Sequence, residues 1–429
     1  MFSSIRVGSL IAFCFYIYTF GLVFGSKVFL ITPAASLMNI MFLVILALGW
    51  LYFIKQKHDI RDLGIFFLLG AFVFSIGIAT VFYRNSEQIK DTFYAFHIVA
   101  IFLIVYTIIK NKLITRNQLF NFLYYLYLTL ICASIVQFLG LIGFGIQLWH
   151  EELNIEHGIE LVKGPFSNPN NLAIICLMFF CMLYWMAEQL SMRKKRVILV
   201  VVTGIILLLT LSRLAVLLFI LFFYGYLLYQ RKYKLFSFLL VVSLIFLVMF
   251  VTVIFSLEPM KVEADSEFSF VARNVNRLIA IRDIASSSGN DSSGIRINSY
   301  LYFFSNLERA TFPYGSGNYS NFYINTKFDS KLISLNPHSY IIEVILAYGA
   351  ISGFLLLGLL SYMAITNIKN TRTDRYFIFF LSYFLLLTNI PSSVLRMPLI
   401  WLFLFLIFYF CMLESSEDEI KQPTLLTSD

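Results

Sequence analysis

Arg213, Arg296 and His338 are the residues whose types and settings suit them to chemistry in this 429-residue chain. Arg213 lies in LLLTLSRLAVLLF (207–219), between two apolar stretches of about 16 residues each. A charge at such depth costs several kcal/mol unless it faces a polar cavity or a partner. It is therefore either a snorkelling hairpin arginine or a fixed positive charge set against an anionic headgroup. Arg296 stands ahead of an apolar helix and the glycine turn YGSGN in SGIRINSYLYFFSNLERATFPYGSGNYSNF (293–322). The glycines permit tight turning and close backbone approach, and a lone GSG is a weak sign of a phosphate cradle. His338 opens NPHSYIIEVILAYGAISGFLLLGLL (336–360), where the pattern predicts a helix with Ile342, Leu346 and Gly349 on one face. Imidazole suits general-base work near neutral pH; the plainer role is a helix-start residue at an interface. Glu343, five positions on, is poorly placed to face His338 on a regular helix.

The elements that must hold these residues are membrane helices. The chain is 59% hydrophobic and 13% charged, with a mean hydropathy of +0.82, and its repeated apolar runs fit a helical polytopic membrane protein. A β-barrel would show short alternating segments. Spans are predicted at about 8–25, 34–54, 63–82, 92–109, 119–139, 171–187, 197–212, 214–229, 235–257, 348–367, 376–390 and 397–413. The expected fold is all-α, with about twelve transmembrane helices and one large extracytoplasmic loop between spans nine and ten. The divisions are 1–257 (spans one to nine), 258–347 (the loop), 348–413 (spans ten to twelve) and 414–429, an acidic tail expected to be disordered.

Charge sets the orientation. One set of alternating loops, with Arg6 and Lys421, holds 18 Lys/Arg; the opposite short loops hold Lys27, Arg84, Lys90, Lys163 and Arg396. The positive-inside rule then places both termini in the cytoplasm. The net charge of +8 reads as this topology signal, with no nucleic-acid partner expected. The five cysteines lie in apolar runs and act as small hydrophobes, so neither a disulfide nor a zinc site is expected.

Two outer segments depart from the short-loop pattern. Residues 140–170 end in GPFSNPNNLA, where Asn168-Pro169 signals a turn and Asn170 or Asn171 is placed to cap a helix opening at Leu172. From 258 to Lys331 the chain carries 8 Lys/Arg and 8 Asp/Glu, yet Arg273, Arg277, Arg282, Arg296 and Arg309 gather where topology gives no reason for them. A solvated amphipathic helix over 268–285 accounts equally well for Arg273 and Arg277. SSSGNDSSG (286–294) reads as a linker or turn.

Four pieces taken in order, GPFSNPNNLA, the LSR of TLSRLAVL, GIRINSYLYFF with FPYGSGNY, and NPHSYIIEVILAYGAISG, resemble the O-antigen ligase and O-antigen polymerase superfamily of bacterial membrane glycosyltransferases. They run from residue 164 to 353; the first 160 residues match in topology alone. Where family members often carry His-Asn, this chain has His338-Ser339, and Ser339 still donates and accepts a hydrogen bond. The resemblance implies a GT-C-like fold in the bacterial cytoplasmic (inner) membrane. It implies transfer of a glycan from an undecaprenyl-pyrophosphate carrier to a sugar hydroxyl at the outer face, with a flippase and a chain-length regulator as partners. In that reading Arg213 and Arg296 bind the pyrophosphate and His338 is the base. Asn168, Asn170, Ser339, Glu343, Arg273 and Arg277 are glycan-lining or structural. Arginines carry the leaving-group charge, so no metal or other cofactor is expected.

Polymerase and ligase differ in acceptor, a lipid-linked repeat unit against lipid A–core; the wider occurrence of polymerases inclines the reading to the former. A flippase or other transporter needs a similar helix number but would show internal repeats and broken mid-membrane helices. Neither is legible here.

Overall fold

In the computed structural model the described residues are 2–28, 37–140, 162–166, 168–210, 212–256, 292–323, 339–368, 372–389 and 394–421. They form helices α1 (Phe2–Val28), α2 (Leu37–Lys55), α3 (Ile60–Tyr83), α4 (Ser86–Lys110), α5 (Arg116–Leu139), α6 (Pro169–Gln189), α7 (Arg193–Thr210), α8 (Arg213–Tyr229) and α9 (Tyr233–Ser256). After these come α10 (Ser292–Ser305), the single turn α11 (Ser320–Tyr323), α12 (Tyr340–Tyr348), α13 (Ala350–Asn367), α14 (Arg372–Leu387) and α15 (Pro398–Lys421). A helix overlies each predicted span. Five of them, α3, α4, α5, α6 and α13, are by themselves long and apolar enough to cross a membrane, among the described residues. The protein is an all-helical polytopic membrane protein.

The centre is α15, flanked by α4 and α6. Phe403 meets Phe179 of α6 at 4.7 Å and Phe405 meets Phe102 of α4 at 5.5 Å, ring to ring. In their central stretches these helices are apolar around the axis, and Leu172–Leu183 and Ile400–Phe408 are wholly buried, as expected of segments with no solvent-facing stripe. In contrast, Leu235, Phe238, Val241, Ile245 and Val248 of α9 are exposed, an apolar surface that only lipid or protein suits.

Polar contacts sort the connections to two ends. At one end Lys110 pairs with Asp59 and buried Asp62 at 3.2 and 3.1 Å. There too Lys195 reaches Asn121 at 2.9 Å, and Gln230 reaches Glu188 at 2.5 Å. At the other end the α3–α4 turn, the 313–318 segment and Arg396 meet, and separately the starts of α6 and α8 are joined through Asn170 and Ser212. Connections predicted to share a side of the membrane thus contact one another.

Four local expectations are corrected. Helix α6 opens at Pro169 with Asn168 as its cap, not at Leu172. The reason is that Pro loses nothing at N1, where its missing N–H would be an orphan, and it forces the preceding residue into the extended form a cap needs. Arg296 lies inside α10 rather than ahead of it, and the end of SSSGNDSSG is already helical. The helix expected to carry Gly349 on its face ends there: Gly349 has φ 89°, ψ 166° and separates α12 from α13. Finally, α15 runs to Lys421 through ESSEDE, with no Gly or Pro to stop it before Pro423. The 268–285 segment lies outside the described residues.

Candidate active site

The GPFSNPNNLA turn is held from below by α5. Gln137 Oε1 accepts the backbone N–H groups of Lys163 at 3.1 Å and Gly164 at 2.7 Å. Asn168, extended at φ −145°, ψ 139°, then accepts the Asn170 amide on its side chain at 2.7 Å and caps α6. Asn170 is thereby left with its own side chain for another task. Its Oδ1 accepts a hydrogen bond from Ser212 Oγ at 2.9 Å. Ser212 is buried and occupies the cap position of α8, but its hydroxyl makes no bond to its own helix. Arg213 is the first residue of α8, so one hydrogen bond ties the NPN motif to the LSR motif beside that arginine. The Arg213 side chain lies outside the described residues.

Arg296 lies in the first half of helix α10, again with its side chain outside the described residues. One turn on, Ser299 Oγ and Tyr323 OH are hydrogen-bonded at 2.5 Å, and Tyr300 OH donates to Asn389 at the end of α14 at 3.1 Å. The helix is therefore fastened to both α11 and α14.

The YGSGN turn is a docking element rather than an empty cradle. Gly315 has φ +87°, and a Cβ there would stand 2.9 Å from the Tyr83 ring. Tyr83 OH donates to the Pro313 carbonyl. The Ser316 amide is taken by Gln88 Oε1 at 2.7 Å, and the Ser316 carbonyl accepts Asn85 Nδ2 at 3.1 Å. Glycine at 315 lets the α3–α4 turn approach; it leaves the Ser316 N–H committed to protein.

His338, like Arg273 and Arg277, lies outside the described residues; Ser339, directly after it, is buried at the cap position of α12. The Ser339 carbonyl accepts the Glu343 amide at 2.8 Å. The Glu343 carboxylate is buried and accepts Tyr319 OH at 3.3 Å. Burial, and then the Glu343 charge, hold the Tyr319 phenol well above its ordinary range, so it remains a donor. At the far end of α12 the Tyr314 amide donates to the Leu346 carbonyl at 2.7 Å. Segment 314–319 therefore lies along the whole of α12.

Arg396 is the residue that sequence reasoning missed. Its Nε donates to Asp91 Oδ1 at 2.5 Å and its Nη1 to Glu87 Oε2 at 2.6 Å. Nη2 adds the Glu87 carbonyl at 3.5 Å and Ser316 Oγ at 3.4 Å. Tyr348 OH donates to the other Asp91 oxygen at 2.5 Å. Burial pulls the Arg396 pKa down, but the bonds and charges of Asp91 and Glu87 more than reverse this and raise it above its usual value. The signal available in the sequence was position: Arg396 is one of five basic residues in the basic-poor loops, where topology asks for none.

Residues 198–358 match the family model described as O-Antigen ligase. Over these residues the chain is similar to the O-antigen ligase family. Among curated proteins none matches the chain. The matched stretch takes in Arg213, Arg296, His338, Ser339, Glu343 and the YGSGN turn. GPFSNPNNLA precedes it, and Asp91 and Arg396 flank it on either side in sequence. The match is in keeping with the apolar, multi-helix architecture of the described residues.

Proposed function

We propose that the protein transfers a glycan from an undecaprenyl-pyrophosphate carrier to a sugar hydroxyl at the outer face of the bacterial cytoplasmic membrane. The observation that carries this reading is that the stretch matching the O-antigen ligase family, 198–358, contains both out-of-place arginines and the histidine. The hydrogen bond from Ser212 to Asn170 supports it by fixing the start of the helix that Arg213 begins. The acceptor oxygen attacks the anomeric carbon of the donor sugar, the bond from that carbon to the diphosphate oxygen breaks, and the hydroxyl proton passes to His338. Arg213 and Arg296 stabilise the charge growing on the departing lipid diphosphate. Fixed guanidinium groups in a partly dehydrated site need little reorganisation to do so. Asn168 and Asn170 shape the groove edge, Ser339 sets the chain after His338, and Arg273 and Arg277 serve either the glycan or the fold of the loop. The long loop faces outward, as the positive-inside rule requires.

Two acceptors fit this chemistry. A polymerase joins the chain to a second lipid-linked repeat unit; a ligase joins it to lipid A–core. The matched family is described as O-Antigen ligase, and this supports the ligase at least as well as the polymerase. Deleting the gene and extracting the lipid-linked glycans tests both. Polymerase loss leaves single repeat units on the carrier, ligase loss leaves long polymer on the carrier and bare lipid A–core, and unchanged glycan pools would remove the transferase reading.

A further inference from the structure

Helix α12 is nine residues long and stands directly after His338-Ser339. A helix this short has little stability of its own and takes its place from what it packs against. The break at Gly349 ends its backbone ladder before α13 begins, although Ser352 Oγ of α13 still donates to the Tyr348 carbonyl at 2.9 Å. On the side away from α13 its polar contacts are Glu343 with Tyr319, Leu346 with Tyr314, and Tyr348 with Asp91. All three partners lead to one guanidinium. Asp91 is bonded to Arg396 directly, and the 314–319 segment meets it through Ser316.

We propose that Arg396 is a positioning residue for the transfer site, holding α12, and with it the His338-Ser339 segment, through Asp91, Glu87 and the 313–318 turn. The transfer role rests on the function proposed above; the mechanical role rests on the contacts alone. Glu87 and Asp91 are four residues apart and so share a face of α4. A planar fork with fixed N–H directions meets both carboxylates and also reaches the Glu87 carbonyl and Ser316, a set that a compact ammonium group does not match in geometry. Lys90 also pairs with Glu87, at 2.8 Å, so two acids balance two bases here. The cluster has no excess positive charge to offer a diphosphate, which separates Arg396 from a donor-binding role. The Asp91 side chain is 2% exposed; without Arg396 it is a buried carboxylate with its charge partner gone, an arrangement that is strongly destabilising locally.

The test uses the full chain in lipid nanodiscs, with the lipid-linked glycan that accumulates in the deletion strain as donor. Amide hydrogen exchange over 313–318 and 340–348 is read beside kcat and donor KM. Arg396→Gln should speed exchange in both segments and lower kcat by about tenfold or more, as loss of charge-assisted hydrogen bonds implies, with donor KM little changed. Adding Asp91→Asn to Arg396→Gln restores a neutral hydrogen-bonded pair and should return exchange toward wild type and recover part of kcat. Wild-type exchange in Arg396→Gln, or a double variant no better than the single one, would overturn the proposal. A raised donor KM with unchanged exchange would also overturn it, since that marks a donor contact. Where Arg396→Gln fails to fold, Arg396→Lys keeps the charge without the fork and should show the same pattern at smaller amplitude; a normal kcat and normal exchange would count against the proposal. Should the wild-type chain transfer no glycan, the transferase reading falls, while the exchange measurements still decide the mechanical role.

Discussion

Ser212 donates a hydrogen bond to Asn170 across 42 residues of sequence, and it is the point at which the turn before α6 reaches the start of α8. Because Asn168 already caps α6, Asn170 is not needed for its own helix. The bond serves instead to fix where α8 begins, and Arg213 begins it.

Asn170→Ala and Ser212→Ala should therefore each slow transfer, and the double variant should be no slower than the worse single. A buried neutral hydrogen bond contributes about 0.5–1.5 kcal/mol, so a double-mutant cycle on the transfer rate should show a coupling of that size. Strictly additive effects would mean that the two residues act separately.

Arg213→Lys should be nearly as damaging as Arg213→Ala. A bidentate fork meets two phosphate oxygens in a geometry that a single ammonium does not reproduce. Polymer or ligated glycan is read from membranes of complemented deletion cells. Near-normal product with Lys and none with Ala would show that charge alone suffices; normal product with both would leave Arg213 a snorkelling residue.

Gly349→Ala should destabilise the protein by about 1–3 kcal/mol, because φ near +90° with ψ near 180° is a region that glycine alone occupies readily. A Cβ at that position would also stand 3.2 Å from Pro313 Cδ, against the segment that runs along α12. The check is the thermal midpoint of the purified protein, with Gly358→Ala as the control, since a Cβ there meets nothing within 4 Å. Equal midpoints for the two variants would contradict the strain.

The helices were legible because a bilayer demands runs of about 20 apolar residues, and such runs survive any detail of packing. Arg213 and Arg296 drew notice as charges in the wrong place for topology, and His338 as a candidate base after a proline break; the matched stretch 198–358 includes all three. Gly349 was not: apolar residues continue on both sides of it, and hydropathy carries no information about φ. Nor was the Arg396 cluster, whose Asp91 is 305 positions away. Arg396 stood out by its place in a basic-poor loop, but Glu87 and Asp91 look ordinary at the start of α4, and only the folded chain makes them neighbours. The cap at Asn168 was legible in principle, since the rule for the residue before proline names it.

A reporter fused after Arg375 should read cytoplasmic and one inserted near Gly289 should read extracytoplasmic. The first follows from the basic loop 368–375 and the second from its place in the long loop before α10. Because Arg396 bonds to Ser316, the α14–α15 connection must share the side of the 313–318 turn. Single-cysteine labelling at Lys90 should therefore agree with the Gly289 reporter. Opposite readings from these two would break the two-ended arrangement, and swapped fusions would overturn the orientation.

His338→Ala should abolish transfer while leaving donor binding intact. Loss of a general base typically slows a reaction about 10²- to 10⁴-fold, so cells should lack the product although the purified variant still binds lipid pyrophosphate. The pH profile follows from which groups titrate. Protonated imidazole cannot accept the acceptor's proton, so turnover should fall as the pH is lowered and the base becomes protonated. Arg396 stays charged, its pKa being raised by Asp91 and Glu87, and burial with the Glu343 charge keeps the Tyr319 phenol protonated. Neither group should then add an alkaline limb below the ordinary tyrosine range, and an alkaline fall in kcat near neutral pH would point to another titrating group. EDTA should leave turnover unchanged, since the arginines are assigned the leaving-group charge. Full activity of the alanine variant would remove His338 as base, and strict dependence on added Mg²⁺ or Mn²⁺ would remove the arginine-only account of the diphosphate.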